Sequence, residues 1–262
     1  MKKEIDFNTP VMKQFFDVKD KYKDSIVLFR MGDFYETFLN DAILTSQILG
    51  IVLTKRANGK AADVDLAGFP HHALDNYLPK LVKAGHRVAI CEQVEDPKMV
   101  KGIVKREVVE VVTPGTLTSD RTLNDRSNRY IGSIFSIKQY SGFSFLDSST
   151  GEFYIGECDN NDLNSFLIKF RPQEIIVSEK AKYATSNWYM EFQPFMSRVD
   201  EWMFDHDSAY RVLLKHFEVK TLKGFGCQNM KVGICAAGAL ANHMQTNLSS
   251  SLKHVSKLSP VI

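Results

Sequence analysis

The sequence lacks the long apolar runs of a membrane protein. No stretch of its 262 residues approaches the roughly 18 consecutive apolar residues that would indicate a transmembrane helix. The N-terminal segment 1–6 has no apolar centre of the kind that secretory signals carry. We therefore expect neither a signal peptide nor a membrane partner.

Cysteine and net charge are also scarce. The net charge of +2 gives no whole-chain signature of nucleic-acid binding. Two local basic groups, within 55–60 and 98–106, could neutralise a few phosphates, although a solvated surface is the alternative interpretation. The four cysteines lie far apart without metal-ligand spacing, which favours reduced structural thiols in a cytosolic protein: Cys91, Cys158, Cys227 and Cys235.

The common catalytic motifs are missing as well. The only Gly-Lys pair, Gly59-Lys60, has no upstream glycine, so no phosphate-binding loop for ATP is evident. No G-x-S-x-G, H-E-x-x-H or C-x-x-C motif occurs. The adjacent His71 and His72 would diverge by about 100° on a helix, which argues against a shared metal. We expect no catalytic site, metal or cofactor here.

The first half of the sequence predicts alternating helices and strands. Thr9-Pro10 predicts the start of a helix that reaches about residue 23, and Ile26–Met31 predicts a buried strand. Apolar positions 35, 38, 39, 42, 43 and 49 predict an amphipathic helix from Asp33 to Leu49, ended by Gly50. Further strands near 51–55, 63–67, 86–94 and 107–113, with a helix near 72–84, predict a mixed sheet.

Residues 118–129 are poor in apolar residues and rich in turn formers, which predicts a linker between domains 1–117 and 130–262. The second domain is expected to begin with three strands in a meander. These are followed by a helix near 160–170, a strand near 174–178 and helices near 207–217 and 228–247. This order predicts a ribonuclease-H-like α/β domain. Asp147 has no obvious acidic partner for Mg²⁺ and is better interpreted as a turn residue.

The segment Phe34-Tyr35-Glu36 allows two interpretations. In one, Asp33 is a helix N-cap, and Glu36 reaches back to the Asp33 amide in a capping box. Successive aromatics cannot all face one core stripe of a helix, so one ring is expected near the surface. In the other interpretation, a rigid aromatic wedge beside a hydrogen-bond acceptor probes a base stack.

Several colinear motifs resemble the bacterial DNA mismatch repair MutS family. The resemblance runs in order from residue 9 to about 120 and continues more loosely through the second domain, for example at 145–153. The motifs of the first half are Met31-Gly32-Asp33-Phe34-Tyr35-Glu36, Leu53-Thr54-Lys55-Arg56, Ala67-Gly68-Phe69-Pro70-His71-His72-Ala73, Ala89-Ile90-Cys91-Glu92-Gln93 and Val112-Thr113-Pro114-Gly115-Thr116.

The resemblance implies a mismatch-recognition domain in 1–117 and a connector domain in 130–262. It implies that Phe34 enters the minor groove and stacks on a mispaired or unpaired base, and that Glu36 hydrogen-bonds that base. Supporting DNA contacts are implied for Met31, Asp33, Arg56 and Arg106.

Family proteins are much longer, and the resemblance implies that their ATPase, clamp and dimerisation parts follow these two domains. ATP, Mg²⁺ and the homodimer then belong to the full-length protein. This chain is expected to be a non-enzymatic, monomeric fragment from the bacterial cytoplasm, associated with the nucleoid. An alternative is a protein-interaction module whose connector domain docks a MutL-like repair partner. A third possibility, a metal-dependent nuclease, requires clustered carboxylates that the sequence does not offer.

Overall fold

The computed structural model describes residues 9–58, 61–95, 99, 102–117, 129–183, 186–247 and 252–261. Contacts between Cα atoms divide the chain into two compact units, Met1–Leu117 and Thr118–Ile262. Each unit is built on one six-stranded mixed sheet, which confirms the predicted α/β class. The predicted linker lies outside the described residues except for Arg129.

The elements of the first unit are α1 (Pro10–Lys21), β1 (Ser25–Met31), β2 (Phe34–Phe38), α2 (Asn40–Leu49), β3 (Thr54–Asn58), β4 (Ala61–Pro70), α3 (Leu74–Lys83), β5 (Arg87–Gln93) and β6 (Arg106–Val112). The strand order in its sheet is β3-β4-β2-β1-β5-β6. Neighbouring strands are antiparallel except for the parallel pair β1–β5. A 3-10 turn at His71–Ala73 connects β4 to α3.

The predicted start of α1 is confirmed. The Thr9 side chain accepts a hydrogen bond from the Met12 amide at 3.4 Å, and Pro10 occupies the first turn, where its missing N–H costs nothing. Phe15 packs edge-on against Phe29 of β1 and Phe38 of β2. The cap is local in sequence, whereas the aromatic contacts fix α1 to one face of the sheet.

The predicted helix from Asp33 to Leu49 is wrong in its first part. Residues Phe34–Phe38 form β2, and the helix begins at Asn40 and ends at the left-handed Gly50. Consequently Asp33 does not cap a helix, and Glu36 does not complete a capping box. Pairing with both β1 and β4 provides hydrogen-bond partners for the backbone N–H and C=O groups of this segment. Its aromatic residues and its threonine also favour a strand.

Helices cover both faces of the first sheet. The face against α1, which we call the α1 face, contains one buried cluster, and the opposite face packs on α2 and α3. Directly paired residues of neighbouring strands share a face. Glu36 pairs with Phe29, and Phe34 pairs with Met31, so these four residues lie on the α1 face. Tyr35 points to the opposite face.

The elements of the second unit are β7 (Ile131–Ile137), β8 (Tyr140–Leu146), β9 (Phe153–Asp159), α4 (Leu163–Phe170), β10 (Glu174–Ser178), α5 (Asn187–Phe192), β11 (Phe195–Val199), α6 (His206–Phe217), α7 (Lys231–Asn247) and β12 (Ser259–Val261). The strand order in its sheet is β11-β10-β7-β8-β9-β12. Strands β7, β8 and β9 form the predicted antiparallel meander, while β10 runs parallel to β7 and β11 runs parallel to β10. This is the predicted ribonuclease-H-like arrangement.

Helix α7 lies directly on the second sheet because glycines allow close backbone approach. A Cβ atom at Gly142 of β8 would stand 2.2 Å from the Val232 carbonyl carbon, a distance that no packed structure tolerates. The predicted helices near 160–170, 207–217 and 228–247 are confirmed, whereas α5, β11 and β12 were not predicted.

Candidate nucleic-acid interface

A tight turn places Phe34 at one end of the two central strands of the first sheet. Strand β1 ends at Met31 and β2 begins at Phe34, so only Gly32 and Asp33 connect them. Gly32 has a φ of +57°. Two-residue hairpin turns need a positive φ at their first central position, which glycine adopts readily. Phe34 is 47% exposed, whereas its neighbour Tyr35 is 2% exposed. One aromatic ring therefore projects from the turn, as predicted, although a strand and not a helix presents it.

Main-chain contacts fix this turn. The Asp33 carbonyl oxygen accepts a hydrogen bond from the His71 amide at 2.8 Å, and the His71 ring Nδ1 lies 3.1 Å from the same oxygen. The Arg30 guanidinium donates to the Gly32 carbonyl oxygen at 2.5 Å. The Asp33 side chain remains exposed. Sequence reasoning considered His71 only as a metal ligand and missed this bracing role, since no local pattern links residues 33 and 71.

Glu36 forms an ion pair across the sheet. Its Oε2 atom lies 2.6 Å from Nη1 of Arg56, which reaches it from β3. Burial raises the pKa of the Glu36 carboxyl, while Arg56 and the more distant Arg106 act against this increase. The carboxylate and the exposed ring of Phe34 lie on the same strand face, because residues two apart in a strand point the same way.

Arg106 is tied to the sheet by its own hydrogen bonds. Its Nε donates to the Arg30 carbonyl oxygen at 2.6 Å, and its Nη1 donates to the Val104 carbonyl oxygen at 2.7 Å. The guanidinium carbon lies 5.3 Å from the centroid of the Phe29 ring. Burial lowers the pKa of Arg106, but an arginine stays charged in proteins. Arg106 thus places a positive charge near Glu36.

A second polar group supports the same hairpin from the opposite face. The Tyr35 hydroxyl donates to Glu92 of β5, and Arg30 lies 3.5 Å from the other Glu92 oxygen. The Arg30 guanidinium also lies 5.7 Å from the Tyr35 ring centroid. Burial, followed by the interaction with Glu92, raises the pKa of Tyr35. The sequence did not reveal this group, because its members lie up to 62 positions apart.

The structure brings five of the six predicted site residues to the α1 face and puts the sixth in the adjoining turn. Phe34 and Glu36 lie on β2, half-buried Met31 pairs with Phe34, and Asp33 occupies the turn. Arg56 and Arg106 enter from β3 and β6. Of the predicted basic groups, Lys60, Lys98 and Lys101 lie outside the described residues.

Among the described residues of the second unit, two carboxylates of the sheet and its turns are buried. Asp147 is buried, and its carboxylate accepts hydrogen bonds from Ser149, Thr150 and the Arg129 amide, which confirms its interpretation as a turn residue. Glu174 is fully buried near Ser197 and His243. Within the described ranges, no group of three or more His, Cys, Asp or Glu side chains is placed to hold a metal ion.

All four cysteines are free thiols, as expected. Burial raises the pKa of Cys91 to about 12 and that of Cys235 to about 11, so both thiols are protonated and unreactive near neutral pH. Among the helices that the structure describes, none is long and apolar enough to cross a membrane.

Fold and site together define a two-domain α/β chain. Its first sheet presents an exposed aromatic ring beside paired charges, and its second domain is ribonuclease-H-like. Two family models match it in the same order: MutS domain I over residues 9–121 and MutS domain II over residues 129–256.

Curated relatives cover almost the whole chain. It is 47% identical over 251 residues to the DNA mismatch repair protein MutS of Porphyromonas gingivalis. The aligned region covers 96% of this chain and 28% of that protein. The corresponding protein of Parabacteroides distasonis is 48% identical over 97% of this chain and 29% of its own length. The corresponding protein of Flavobacterium johnsoniae is 44% identical over 98% of this chain and 30% of its own length. The chain belongs to the MutS family and spans under a third of the length of these relatives.

Proposed function

We propose that this chain binds mismatched or looped double-stranded DNA in mismatch repair. Residues 1–117 act as the mismatch-recognition domain, and residues 130–262 act as the connector domain. Phe34 enters the minor groove and stacks on the mispaired or unpaired base. Glu36 accepts a hydrogen bond from that base. The relatives, which are DNA mismatch repair proteins, and the two matched family models support the assignment to mismatch repair.

The observation that carries the proposal is the exposed ring of Phe34 at a braced turn. Nearly half of the side chain is exposed, although the strands on both sides of the turn are fixed by neighbours. An apolar wedge of this kind unstacks a base step and kinks DNA, at a cost of a few kcal/mol. A mispair has already lost pairing energy, so its deformation costs less. Selectivity then follows from deformability and not from a particular base sequence.

The charges around Phe34 fit a DNA backbone on either side of the wedge. Arg56 and Arg106 approach the α1 face from β3 and β6, on opposite sides of Glu36. In the proposal their positive charges lie near phosphates, while Met31 and Asp33 flank the ring. The minor groove distinguishes base pairs poorly, which suits a protein that must accept any flanking sequence.

The remaining activities are proposed for full-length proteins of the family and not for these residues. ATP and Mg²⁺ binding, ATP hydrolysis and homodimerisation are assigned to parts outside the chain described here. These two domains then act as a non-enzymatic, monomeric DNA-binding portion of a bacterial cytoplasmic protein.

Replacing Phe34 with alanine tests the proposal. We expect the preference for a heteroduplex over the matched homoduplex to fall by about tenfold or more, because base–aromatic stacking contributes about 1–3 kcal/mol. Weak general affinity should remain. Fluorescence anisotropy with both duplexes at equal salt measures the preference. Tyr140→Ala is the matched control, since this aromatic is 58% exposed but lies in the second unit. Unchanged discrimination in Phe34→Ala would refute the assignment.

A second candidate function is docking of a MutL-like repair partner on the connector domain. The second unit exposes Tyr140 and Ile137 beside Lys138 and Lys231, which gives it an apolar surface with positive charge. We expect Tyr140→Ala and the charge reversal Lys138→Glu to weaken partner binding without changing mismatch preference. If both variants bind the partner normally in a pull-down with purified partner protein, this surface is not the docking site.

A further inference from the structure

The contact between Arg56 and Glu36 lies within the proposed DNA-binding face and joins two residues on non-neighbouring strands. Arg56 is on β3 and Glu36 is on β2, with β4 between them. The position on β4 opposite Glu36 is Gly68. A Cβ atom there would lie 3.4 Å from Cγ of Glu36 and 2.9 Å from the Tyr35 carbonyl oxygen. The glycine thus leaves open the space beside the Glu36 side chain.

Arg56 is held on the sheet by two contacts. Its Nη1 atom donates to Glu36, and its guanidinium carbon lies 5.9 Å from the centroid of the buried Phe38 ring. The Arg56 side chain is 35% exposed and that of Glu36 is 20% exposed. A short ion pair that is partly shielded from water has a definite geometry, in contrast to two mobile surface charges.

This ion pair has opposite consequences for matched and mismatched DNA. A carboxylate near phosphates is repelled unless its charge is neutralised or a base offers it a donor. While Glu36 stays paired with Arg56, its charge is neutralised, and matched DNA meets no extra repulsion. When Glu36 turns to a mispaired base, the ion pair must be exchanged for the new hydrogen bond, which costs part of the free energy gained.

We propose that Arg56 is a positioning residue that acts through Glu36, holding its carboxylate on the sheet until a mispaired base competes for it. This inference rests on the proposed function. Arg56 then lowers discrimination slightly, because it supports binding to matched DNA and opposes release of Glu36. A residue that only neutralised a phosphate would act equally on both duplexes.

The first test needs no DNA. In protein carrying ¹³C-labelled glutamate, NMR titration gives the pKa of the Glu36 carboxyl. Arg56→Gln should raise this pKa, because it removes a positive charge that favours the ionised carboxylate. Arg56→Lys should restore it at least in part. Lys55→Gln removes the neighbouring exposed cation of β3 and should leave the Glu36 pKa unchanged. If the pKa is the same in Arg56→Gln and wild type, the inference is wrong.

The second test is a double-mutant cycle on the ratio of heteroduplex to homoduplex affinity. Arg56→Gln should raise this ratio about twofold to fivefold, the range expected for a partly exposed ion pair. In the Glu36→Gln background, the same substitution should leave the ratio unchanged. Lys55→Gln should leave the ratio unchanged in both backgrounds.

Other outcomes separate this inference from the proposed function. If wild-type protein prefers the heteroduplex but Arg56→Gln leaves the ratio unchanged and lowers the salt slope by about one, Arg56 is a simple phosphate contact and the inference alone fails. An equal change of the ratio in both Glu36 backgrounds also refutes it. If wild-type protein shows no preference at all, the proposed function itself fails.

Discussion

The two sheets of this chain have the same number of strands and are both mixed, yet they place their charges differently. The first sheet leaves Glu36 and Arg56 partly exposed on the same face as the exposed ring of Phe34. In the second sheet, Glu174 is fully buried beside Ser197 and His243. Two similar architectures therefore differ in what they offer a ligand, as expected when function depends on the site and not on the fold.

The comparison also explains why the ribonuclease-H-like shape does not imply a nuclease. Asp147 follows the end of β8, and its carboxylate accepts hydrogen bonds from main-chain amides and a hydroxyl group of its own turn. Glu174 is enclosed in the core. Across the residues that the structure describes, no cluster of acidic side chains faces a common opening to hold metal ions. Cleavage of duplex or hybrid substrates in the presence of Mg²⁺ or Mn²⁺ would contradict this account of the second sheet.

The largest expected effect concerns the backbone packing of the second sheet. Gly142→Ala should destabilise the second unit by about 3 kcal/mol, because its Cβ atom would overlap the Val232 main chain. Both tryptophans, Trp188 and Trp202, lie in this unit, so tryptophan fluorescence during urea unfolding follows it alone. Gly224→Ala is the matched control, since a Cβ there meets nothing within 4 Å. Equal stability of the two variants would contradict the close approach of α7.

The next prediction compares the loss of stability when one carboxylate of each sheet is removed. Glu174→Ala should cost about 3 kcal/mol, because it removes the acceptor of the buried Ser197 hydroxyl and the acidic neighbour of His243. Glu36→Ala should cost less than about 1 kcal/mol, since the Glu36–Arg56 pair is partly exposed. Hydrogen exchange followed by mass spectrometry gives the local stability of each unit. A larger loss for Glu36→Ala would reverse our account of the two sheets.

The last effect concerns the contacts that support the β1–β2 hairpin on the face opposite Phe34. Tyr35→Phe keeps the ring on that face but removes the hydrogen bond to Glu92, so the first unit should lose about 1 kcal/mol. Hydrogen exchange in β1 and β2 should increase, while that of the second unit stays the same. If mismatch preference also falls, the hairpin requires this support for its function. A loss of stability in the second unit would contradict the separation of the two units.

Local signals in the sequence predicted a large part of the fold. The Thr9-Pro10 cap, the strand of Ile26–Met31 and the left-handed Gly50 depend on neighbours within a few positions, and all three are confirmed. The meander of the second domain was also predictable, because hairpin turns connect strands that are adjacent in sequence.

The errors come from contacts that are distant in sequence. Residues 34–38 read as the first turn of a helix because the apolar positions 35, 38, 39, 42 and 43 fit a helical period. They form a strand because β1 and β4 supply hydrogen bonds on both sides, and β4 comes about 30 positions later. The exposed ring was expected from two successive aromatics. The pairing of Arg56 with Glu36 and of Glu92 with Tyr35 had no sequence signal, since both depend on strand order.

The most direct test of the central claim places a fluorescent adenine analogue at the unpaired position of a looped duplex. With saturating wild-type protein, we expect a clear change in fluorescence, because Phe34 stacks on the analogue and alters its stacking with neighbouring bases. With saturating Phe34→Ala protein, the change should largely disappear, while anisotropy shows that the DNA remains bound. The same fluorescence change in both proteins would show that Phe34 does not contact the unpaired base.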